Sequence, residues 1–155
     1  MFVLGIDGGG THTRLELRDM NNRLLRREKF GPFNLNSIGE DGFRQLLRQV
    51  FEDCGGMREC ARLCVGGAGV SNPRVHEVLE QELEATGFTG TWKLCGDQEI
   101  ALRGAMDTPG LILIAGTGSI CFGKNGAGET FRSGGYGHLI DDGGSGYALG
   151  RDVLS

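Results

Sequence analysis

The sequence predicts an α/β fold in which a mixed sheet carries helices on its faces. Three strands joined by short turns open the chain, and strands then alternate with helices. Glycine provides a third observation, because it accounts for 29 of the 155 residues, more than twice its roughly 7% background share. The glycines lie in turns rather than in a low-complexity tract. They therefore indicate tight connections and close backbone approaches rather than disorder.

The first three strands are predicted at residues 2–6, 12–18 and 23–30. They are linked by a glycine turn and by the turn-forming sequence Asp19-Met-Asn-Asn22, and links this short predict an antiparallel meander. A helix that ends near Gly55 follows, because apolar side chains recur at the spacing of one helix face. These side chains belong to Phe43, Leu46, Leu47, Val50 and Phe51. We expect this helix to pack on the sheet.

The middle of the chain repeats a pattern of strand followed by helix. Strands are predicted at residues 62–65 and 92–95, and a helical pattern follows each of them. Asn72 is predicted to cap the first of these helices, with Pro73 as its first residue. The second and shorter helix is predicted to begin at Asp97. Together with the meander, this alternation predicts the mixed sheet.

The last third of the chain changes character. An apolar strand at residues 111–114 precedes a predicted hairpin of residues 120–123 and 129–132, which Asn125-Gly126 would close. A glycine-rich stretch then leads into a helix that begins at Tyr147.

The helical pattern continues to Ser155, and the roughly 40 residues after Gly116 are too few to build a core of their own. We therefore expect residues 1–115 to form an N-terminal lobe, and residues 116–155 to be the truncated beginning of a second, similar lobe. The alternative is a single compact domain with a docked C-terminal helix.

Charge, hydropathy and cysteine content exclude several classes of protein. A net charge of −4 with scattered arginines argues against a nucleic-acid partner. No apolar run approaches the roughly 20 residues that span a bilayer, and the N-terminus lacks the features of a signal peptide. Five cysteines without C-x-x-C spacing fit a reducing cytosol. We expect a cytoplasmic protein with buried free thiols. The alternative is a metal or cluster site. Cys60 and Cys64 are four residues apart and could share a helix face, but Cys64 lies in a predicted strand.

Two glycine turns carry hydroxyl side chains, and each follows an apolar strand. The first spans residues 7–13 and the second spans residues 115–119. Glycines let the backbone approach a ligand closely, while N–H groups and threonine hydroxyls donate hydrogen bonds to anionic oxygens. Such turns can bind phosphate. Their separation in the chain suggests a nucleotide held between two halves of the protein.

The motifs and their order resemble those of the N-acetylglucosamine kinase and BadF/BadG-type activator-ATPase family, within the actin, sugar kinase and chaperone-ATPase superfamily. The resemblance covers essentially the whole chain. Five motifs carry it: Gly5-Ile-Asp-Gly-Gly-Gly-Thr-His-Thr13, Gly66-Gly-Ala-Gly-Val70, Gly96-Asp97, Ala115-Gly-Thr-Gly-Ser119 and Gly134-Gly-Tyr-Gly-His-Leu-Ile-Asp-Asp-Gly-Gly-Ser-Gly-Tyr147. It implies two ribonuclease H-like lobes with ATP and substrate in the cleft. The family's adenosine-binding motif lies in the rest of the second lobe, which this chain lacks.

Phosphoryl transfer requires positioning and charge stabilisation, and the resemblance distributes these tasks over the two turns. Asp7 is expected to hold Mg²⁺ through water, since Mg²⁺ uses few carboxylates and keeps several waters. Backbone N–H groups and hydroxyls are expected to bind the phosphates of ATP; they belong to Gly9, Gly10, Thr11, Thr13, Gly116, Thr117 and Gly118. Without the resemblance, Asp7 could equally be a turn former and Thr11 a β-branched residue at a strand start.

Asp97 is expected to be the catalytic carboxylate. It follows a strand and starts a helix, so it would project from the carboxyl edge of the sheet and accept the proton of an attacking hydroxyl. An N-cap aspartate would give the same pattern.

Substrate contacts are expected, by resemblance, from Asn34, Ser119, Gly137, His138 and Asp142. The matching asparagine could also be Asn36, and His138 could be an ordinary loop histidine. The run Asp141-Asp142-Gly143 departs from the Gly-Asp-Glu-Gly that is usual in hexosamine kinases.

The resemblance implies an ATP-dependent kinase that phosphorylates a sugar hydroxyl, similar to N-acetylglucosamine kinase, and inactive as the isolated 155-residue chain. One alternative is an activator ATPase of the 2-hydroxyacyl-CoA dehydratase or benzoyl-CoA reductase type, and another is a non-catalytic binding domain. The expected ligands are ATP, Mg²⁺ and a small sugar. We expect no nucleic-acid or membrane partner, and we allow for a homodimer.

Overall fold

The computed structural model describes residues 1–67, 69–107 and 109–155. These residues form two compact units, Met1–Asp97 and Gln98–Ser155. The elements of the first unit are β1 (Phe2–Gly8), β2 (Thr13–Asp19), β3 (Leu24–Phe30), α1 (Leu35–Asp53), β4 (Cys60–Gly67), α2 (Pro73–Ala85) and β5 (Thr91–Gly96). Helix α3 (Asp97–Ala105) begins at Asp97, the last residue of the first unit. The second unit contains β6 (Gly110–Ala115), β7 (Ser119–Lys124), β8 (Thr130–Gly134) and α4 (Gly146–Leu154).

The sheet of the first unit has the strand order β3-β2-β1-β4-β5. Strand β2 pairs antiparallel with both β1 and β3, whereas β4 pairs parallel with both β1 and β5. The predicted meander and the predicted mixed sheet are therefore confirmed. In the parallel part, Gly8 lies opposite Gly67 and Gly67 lies opposite Gly96. The carboxyl ends of β1, β4 and β5 are therefore aligned and form one edge of the sheet, called the carboxyl edge below. The loops that follow these strands begin at this edge.

Helices α1 and α2 share one core with the sheet. Alternate strand residues point into this core, and the apolar stripes of the two helices meet them. Its fully buried members include Leu15, Phe33, Phe43, Leu47, Val65 and Leu79. Helix α1 starts eight residues before the first apolar residue of the predicted stripe, and it is interrupted at Gly39, whose φ is 72°. The interruption explains why periodicity indicated only its second part.

The capping residues of α2 agree with the sequence prediction. The side chain of Asn72 accepts a hydrogen bond from the N–H of Arg74 at 3.0 Å, and Pro73 is the first helical residue. Asp97 begins α3 immediately after β5, also as predicted. All three helices of this region therefore start at the carboxyl edge of the parallel strands.

The second unit contains an antiparallel sheet of order β6-β7-β8. The predicted hairpin of β7 and β8 is present, but the turn is wider than a two-residue Asn-Gly connection. The side chain of Asn125 accepts hydrogen bonds from the N–H groups of Ala127 and Glu129, and the left-handed residue is Gly128 rather than Gly126. The compact units divide after Asp97, and β6 pairs with β7 in the second unit. The predicted lobe boundary after residue 115 stays a prediction.

The described helices include none long and apolar enough to cross a membrane. Cys60 and Cys64 lie on β4, so they do not share a helix face. Cys60 is buried but Cys64 is exposed, so the expectation of buried thiols holds for only some of the cysteines. Burial raises the pKa of Cys60 to about 11. Within the described ranges, no group of three His, Cys, Asp or Glu side chains is arranged to hold a metal ion.

A network of ion pairs joins α1 to α2. The carboxylate of Glu82, whose side chain is only 5% exposed, accepts hydrogen bonds from Arg44 at 2.9 Å and Arg48 at 2.8 Å. Glu40 accepts from Arg74 and Arg44. These guanidinium groups, Arg74 first, lower the pKa of Glu40 from 4.5 to about 2. Arg48 and Arg44 lower the pKa of Glu82 in the same way, against the effect of its burial.

We expect Glu82→Gln to lower the free energy of unfolding by about 1–3 kcal/mol, because it removes the charge from a buried acceptor of several hydrogen bonds. Since the folded pKa of Glu82 is depressed, its stabilisation is complete above the unfolded value of 4.5 and disappears as the pH falls through the folded value. Urea denaturation at several acidic pH values should therefore show a shallower loss of stability in Glu82→Gln. The matched control is Glu84→Gln, on the exposed side of the same helix. Equal stability of the two variants would contradict this role for Glu82.

Candidate functional site

The first glycine turn connects β1 to β2 at the carboxyl edge. The N–H of Gly9 donates to the carbonyl of His12 at 2.9 Å and closes the turn, so this N–H is not open to a ligand. In the part of the chain that the structure describes, the N–H groups of Gly10 and Thr11 have no acceptor, and both residues are exposed. The turn thus retains two backbone donors and the hydroxyl of Thr11 for an anionic ligand.

Thr13 has a structural role that the sequence did not indicate. Its side chain is fully buried, and its hydroxyl donates to the carbonyl of Gly31 at 2.7 Å. The expectation that this hydroxyl binds phosphate is therefore corrected, because burial removes it from an approaching anion. The hydrogen bond from Thr13 and a second one, from the N–H of Phe33 to the carbonyl of Gly9 at 2.9 Å, hold the loop of residues 31–34 against the turn.

The ring of Phe33 covers the ends of β1 and β4. A Cβ at Gly8 would lie 2.3 Å from a carbon of this ring, and a Cβ at Gly67 would lie 2.6 Å from another. Phe33 also packs edge-on against Phe43 of α1, with ring centroids 4.8 Å apart. Any side chain at either glycine position would displace the ring, so the two glycines allow the loop to cross the edge closely.

Asn34 follows Phe33 and caps α1. Its Oδ1 accepts from the N–H of Asn36 at 3.1 Å. The position that a Cβ would occupy at Gly69 is 3.7 Å from this oxygen. Asn34, half-buried, therefore lies where the loop after β3 meets the loop after β4. Ala68, within the predicted glycine loop of residues 66–70, is outside the described residues.

Asp7 is half-exposed at the end of β1, and its nearest charge is Arg14, at 3.7 Å across the β1–β2 ladder. A single accessible carboxylate beside a phosphate-type turn is the donor set that Mg²⁺ uses when substrate phosphates and water complete its shell. The residues present therefore fit a Mg²⁺ ion held at Asp7 through water.

Asp97 is the residue that follows the β5 end of the same edge. Gly96 is aligned with Gly67 and, through it, with Gly8. Because neighbouring strands are about 4.8 Å apart, the backbone at Asp97 is roughly 10 Å from the first turn across the edge. The structure thus places Asp7, the glycine turn, Asn34 and Asp97 along one edge.

The second glycine turn connects β6 to β7, and the loop before α4 holds it in place. Thr117 is exposed at its tip, while its carbonyl accepts from the N–H of Tyr147 at 3.3 Å. The carbonyl of Gly116 accepts from the N–H of Gly146 at 2.7 Å. Ser119 donates its hydroxyl to the carbonyl of Gly143 at 2.9 Å. The hydroxyl of Thr117, in contrast, makes no hydrogen bond to any of the described residues.

Asp142 is the centre of this arrangement. It is buried, with a left-handed φ of 71°, and its Oδ1 accepts from the N–H of Ser119 at 2.9 Å. A Cβ at Gly118 would lie 3.0 Å from the same oxygen. His138 is exposed and packs against Tyr147, with ring centroids 4.5 Å apart and the ring planes tilted by 51°. Gly137, with a φ of 92°, begins the turn before Asp142. The structure therefore brings together the residues predicted for this unit.

Sequence reasoning named Asn36 and Asn72 in other roles, but it missed Phe33 and the contacts by which these three residues join the loops. Phe33, Asn36 and Asn72 join the loops at the carboxyl edge, and a side-chain hydrogen bond of 3.1 Å connects the two asparagines. Gly8 and Gly67, which follow two of the predicted strands, were a usable signal for the contact with Phe33. A glycine at a strand end can indicate that another group approaches the backbone closely. The pairing of Asn36 with Asn72 spans 36 positions in the sequence and had no local signal.

The fold and the two glycine turns define an α/β protein of the actin-like and sugar-kinase type. A family model for BadF/BadG/BcrA/BcrD ATPases matches residues 4–155, and the chain belongs to this family.

Relatives and solved structures agree with this assignment. The chain is 37% identical over 159 residues to the N-acetylmuramic acid/N-acetylglucosamine kinase of Clostridium acetobutylicum, covering 99% of the chain and 52% of the relative. It is 32% identical over 166 residues to the N-acetyl-D-glucosamine kinase of Dictyostelium discoideum, covering 97% and 52%. A solved structure from Chromobacterium violaceum, provisionally named an N-acetylglucosamine kinase, superimposes with a TM-score of 0.82 at 29% identity, covering 97% and 54%. The chain spans about half the length of the curated relatives it matches.

We expect Thr13→Val to lower the free energy of unfolding by about 1–3 kcal/mol, because it keeps the side-chain shape but leaves the carbonyl of Gly31 without its donor. Thr11→Val is the matched control and should change stability by less than about 0.5 kcal/mol, since Thr11 is exposed. Chemical denaturation measures both. A larger loss in Thr11→Val than in Thr13→Val would contradict the roles assigned to the two hydroxyls.

We expect Asp142→Ala to expose the N–H of Ser119, so that its amide hydrogen exchanges roughly five- to ten-fold faster. Asp142→Asn is the matched control, because asparagine tolerates a left-handed backbone and retains an acceptor oxygen. Hydrogen exchange followed by NMR measures both variants. Unchanged protection of Ser119 in Asp142→Ala would show that the turn is held by other contacts.

Proposed function

We propose that this chain is the N-terminal part of an ATP-dependent kinase that phosphorylates a hydroxyl of an N-acetylated amino sugar. The observation that carries the proposal is the carboxyl edge of the first unit. It aligns an open glycine turn, a half-exposed carboxylate, an asparagine loop and a second carboxylate on consecutive loops. Kinase names among the relatives support the reaction class, and their names indicate N-acetylglucosamine or N-acetylmuramic acid as the sugar.

In the proposed site, the first turn binds phosphate oxygens through the N–H groups of Gly10 and Thr11 and through the hydroxyl of Thr11. Gly9 contributes its small size rather than its N–H, which closes the turn. In the second unit, the turn of residues 116–118 offers the hydroxyl of Thr117 at its exposed tip. The N–H of Gly116 is used within this turn, because it donates to the carbonyl of Gly118 at 2.9 Å. Asp7 holds Mg²⁺ through water, and the ion, when bound, offsets the negative charge of the phosphates.

Asp97 acts on the attacking hydroxyl in this proposal. The sugar oxygen forms a bond to the γ-phosphorus while the bond to the oxygen bridging the β- and γ-phosphates breaks, and ADP leaves with that oxygen. The proton of the hydroxyl passes to the carboxylate of Asp97. Asn34 orients the sugar from the neighbouring loop. Ser119, Gly137, His138 and Asp142 form the sugar-binding group of the second unit, in which Asp142 also fixes the N–H of Ser119.

An activator ATPase is the second candidate, because the family that the chain matches is named for ATPases. In that class the nucleotide is hydrolysed without transfer to a sugar, and an iron–sulfur cluster is bound by cysteines. The curated relatives that the chain matches at 37% and 32% identity are named as kinases. The kinase is therefore the stronger proposal.

The decisive measurement is ADP release by the full-length protein with ATP, Mg²⁺ and N-acetylglucosamine, N-acetylmuramic acid or glucose. We expect sugar-dependent turnover by the full-length protein and none by the 155-residue chain alone. Asp97→Asn should lower kcat by about 10²-fold or more and leave nucleotide affinity unchanged, because it removes only the proton acceptor. Asp107→Asn, on a fully exposed carboxylate, is the control. ADP release without any sugar requirement would favour the activator ATPase, and full transfer by Asp97→Asn would remove this residue from catalysis.

A further inference from the structure

Three asparagines at the N-terminal ends of α1 and α2 form a chain of hydrogen bonds. The Oδ1 of Asn34 accepts from the N–H of Asn36 at 3.1 Å. The Oδ1 of Asn36 accepts from the Nδ2 of Asn72 at 3.1 Å. The Oδ1 of Asn72 accepts from the N–H of Arg74 at 3.0 Å. These bonds join the loop that carries Asn34 to the loop that follows β4.

The orientation of each amide in this chain is determined by a backbone group. A backbone N–H can only donate, so the atom of Asn72 that faces Arg74 must be its oxygen. The amide nitrogen of Asn72 is then the atom that faces Asn36, and it can only donate. Asn36 must therefore turn its oxygen toward Asn72. The same argument, starting from the N–H of Asn36, fixes the oxygen of Asn34.

The consequence is that two amide nitrogens are left as donors. Among the described residues, neither the Nδ2 of Asn34 nor the Nδ2 of Asn36 has an acceptor, and Asn36 is exposed. Each of the two side-chain oxygens already accepts one hydrogen bond within the protein, so the amide groups that are wholly available to a ligand at this point of the carboxyl edge are donors.

We propose that Asn72 is a positioning residue for sugar binding, which acts by fixing the amide of Asn36. This inference rests on the proposed sugar kinase function. Asn34 and Asn36 then donate hydrogen bonds to acceptor oxygens of the sugar, either a hydroxyl oxygen or the acetamido carbonyl oxygen. Both asparagines that the sequence left as alternatives therefore contact the sugar, and a third residue sets their polarity.

The variant that tests this inference is Asn72→Asp in the full-length protein. An aspartate at this position still accepts from the N–H of Arg74 and still caps α2, so folding should be preserved. Its second oxygen cannot donate, so the amide of Asn36 must rotate and present its oxygen to the sugar. We expect the KM for the sugar to rise about ten-fold, since one hydrogen bond is lost and two acceptors then face each other. The KM for ATP and the Tm should not change.

The Asn36→Ala background provides the control, because Asn72 is proposed to act only through Asn36. Asn36→Ala alone should raise the sugar KM by a similar factor, and adding Asn72→Asp should raise it no further. If Asn72→Asp has the same effect with and without Asn36, or if it lowers the Tm and changes both KM values, the positioning role is overturned.

Two further comparisons complete the test. An increase seen with N-acetylglucosamine but not with glucose assigns the contact to the acetamido oxygen, whereas an increase with both sugars assigns it to a hydroxyl oxygen. Wild-type protein without sugar-dependent ADP release would overturn the proposed function and this inference together. An active wild type whose Asn72→Asp variant keeps its sugar KM would overturn the inference alone.

Discussion

The candidate site depends on the contact between the ring of Phe33 and two glycines that end neighbouring strands. Gly8 and Gly67 are neighbours in the parallel part of the sheet, and the ring covers both. This contact brings the loop after β3 down onto the sheet edge, where hydrogen bonds to the carbonyl of Gly9 and from the hydroxyl of Thr13 hold it. The position of Asn34 follows directly. A methyl group at either glycine would move the whole loop, because protein interiors leave little room for displacement.

A similar principle operates in the second unit, with a carboxylate instead of a ring. Gly118 leaves room for Asp142 to approach the turn, and Asp142 then binds the N–H of Ser119. In both units, glycines therefore serve less as flexible hinges than as spaces into which another group fits. The expectation that glycine N–H groups would bind phosphate is partly replaced by this steric role, since the N–H of Gly9 is used within its own turn.

Local patterns predicted most of the fold. The strand meander, the stripe of α1, the cap at Asn72 and the start of α3 at Asp97 all depend on residues close together in sequence, and the structure confirms them. The break at Gly39 was not predicted, because one glycine in a helical pattern is compatible with either continuation or interruption.

The hydrogen bonds within the site were harder to predict from the sequence than the strands and helices. The hydroxyl of Thr13 and that of Thr11 look equivalent in the motif, yet one is buried and bonded while the other is exposed. Which of them reaches a ligand depends on Gly31, eighteen residues away from Thr13. The bond between Asn36 and Asn72 likewise depends on the parallel arrangement of β1 and β4, which brings the two loops together.

The left-handed backbone of Asp142 has a consequence for attempts to stabilise this protein. Left-handed backbone at a non-glycine residue carries an energetic cost, which is moderate for aspartate and absent for glycine. A design procedure that selected residues only for the lowest backbone conformational energy would therefore place glycine at position 142. It would remove the backbone strain and simultaneously lose the carboxylate that binds the N–H of Ser119. At this position, the residue that the backbone conformation favours and the residue that orders the second turn are different amino acids.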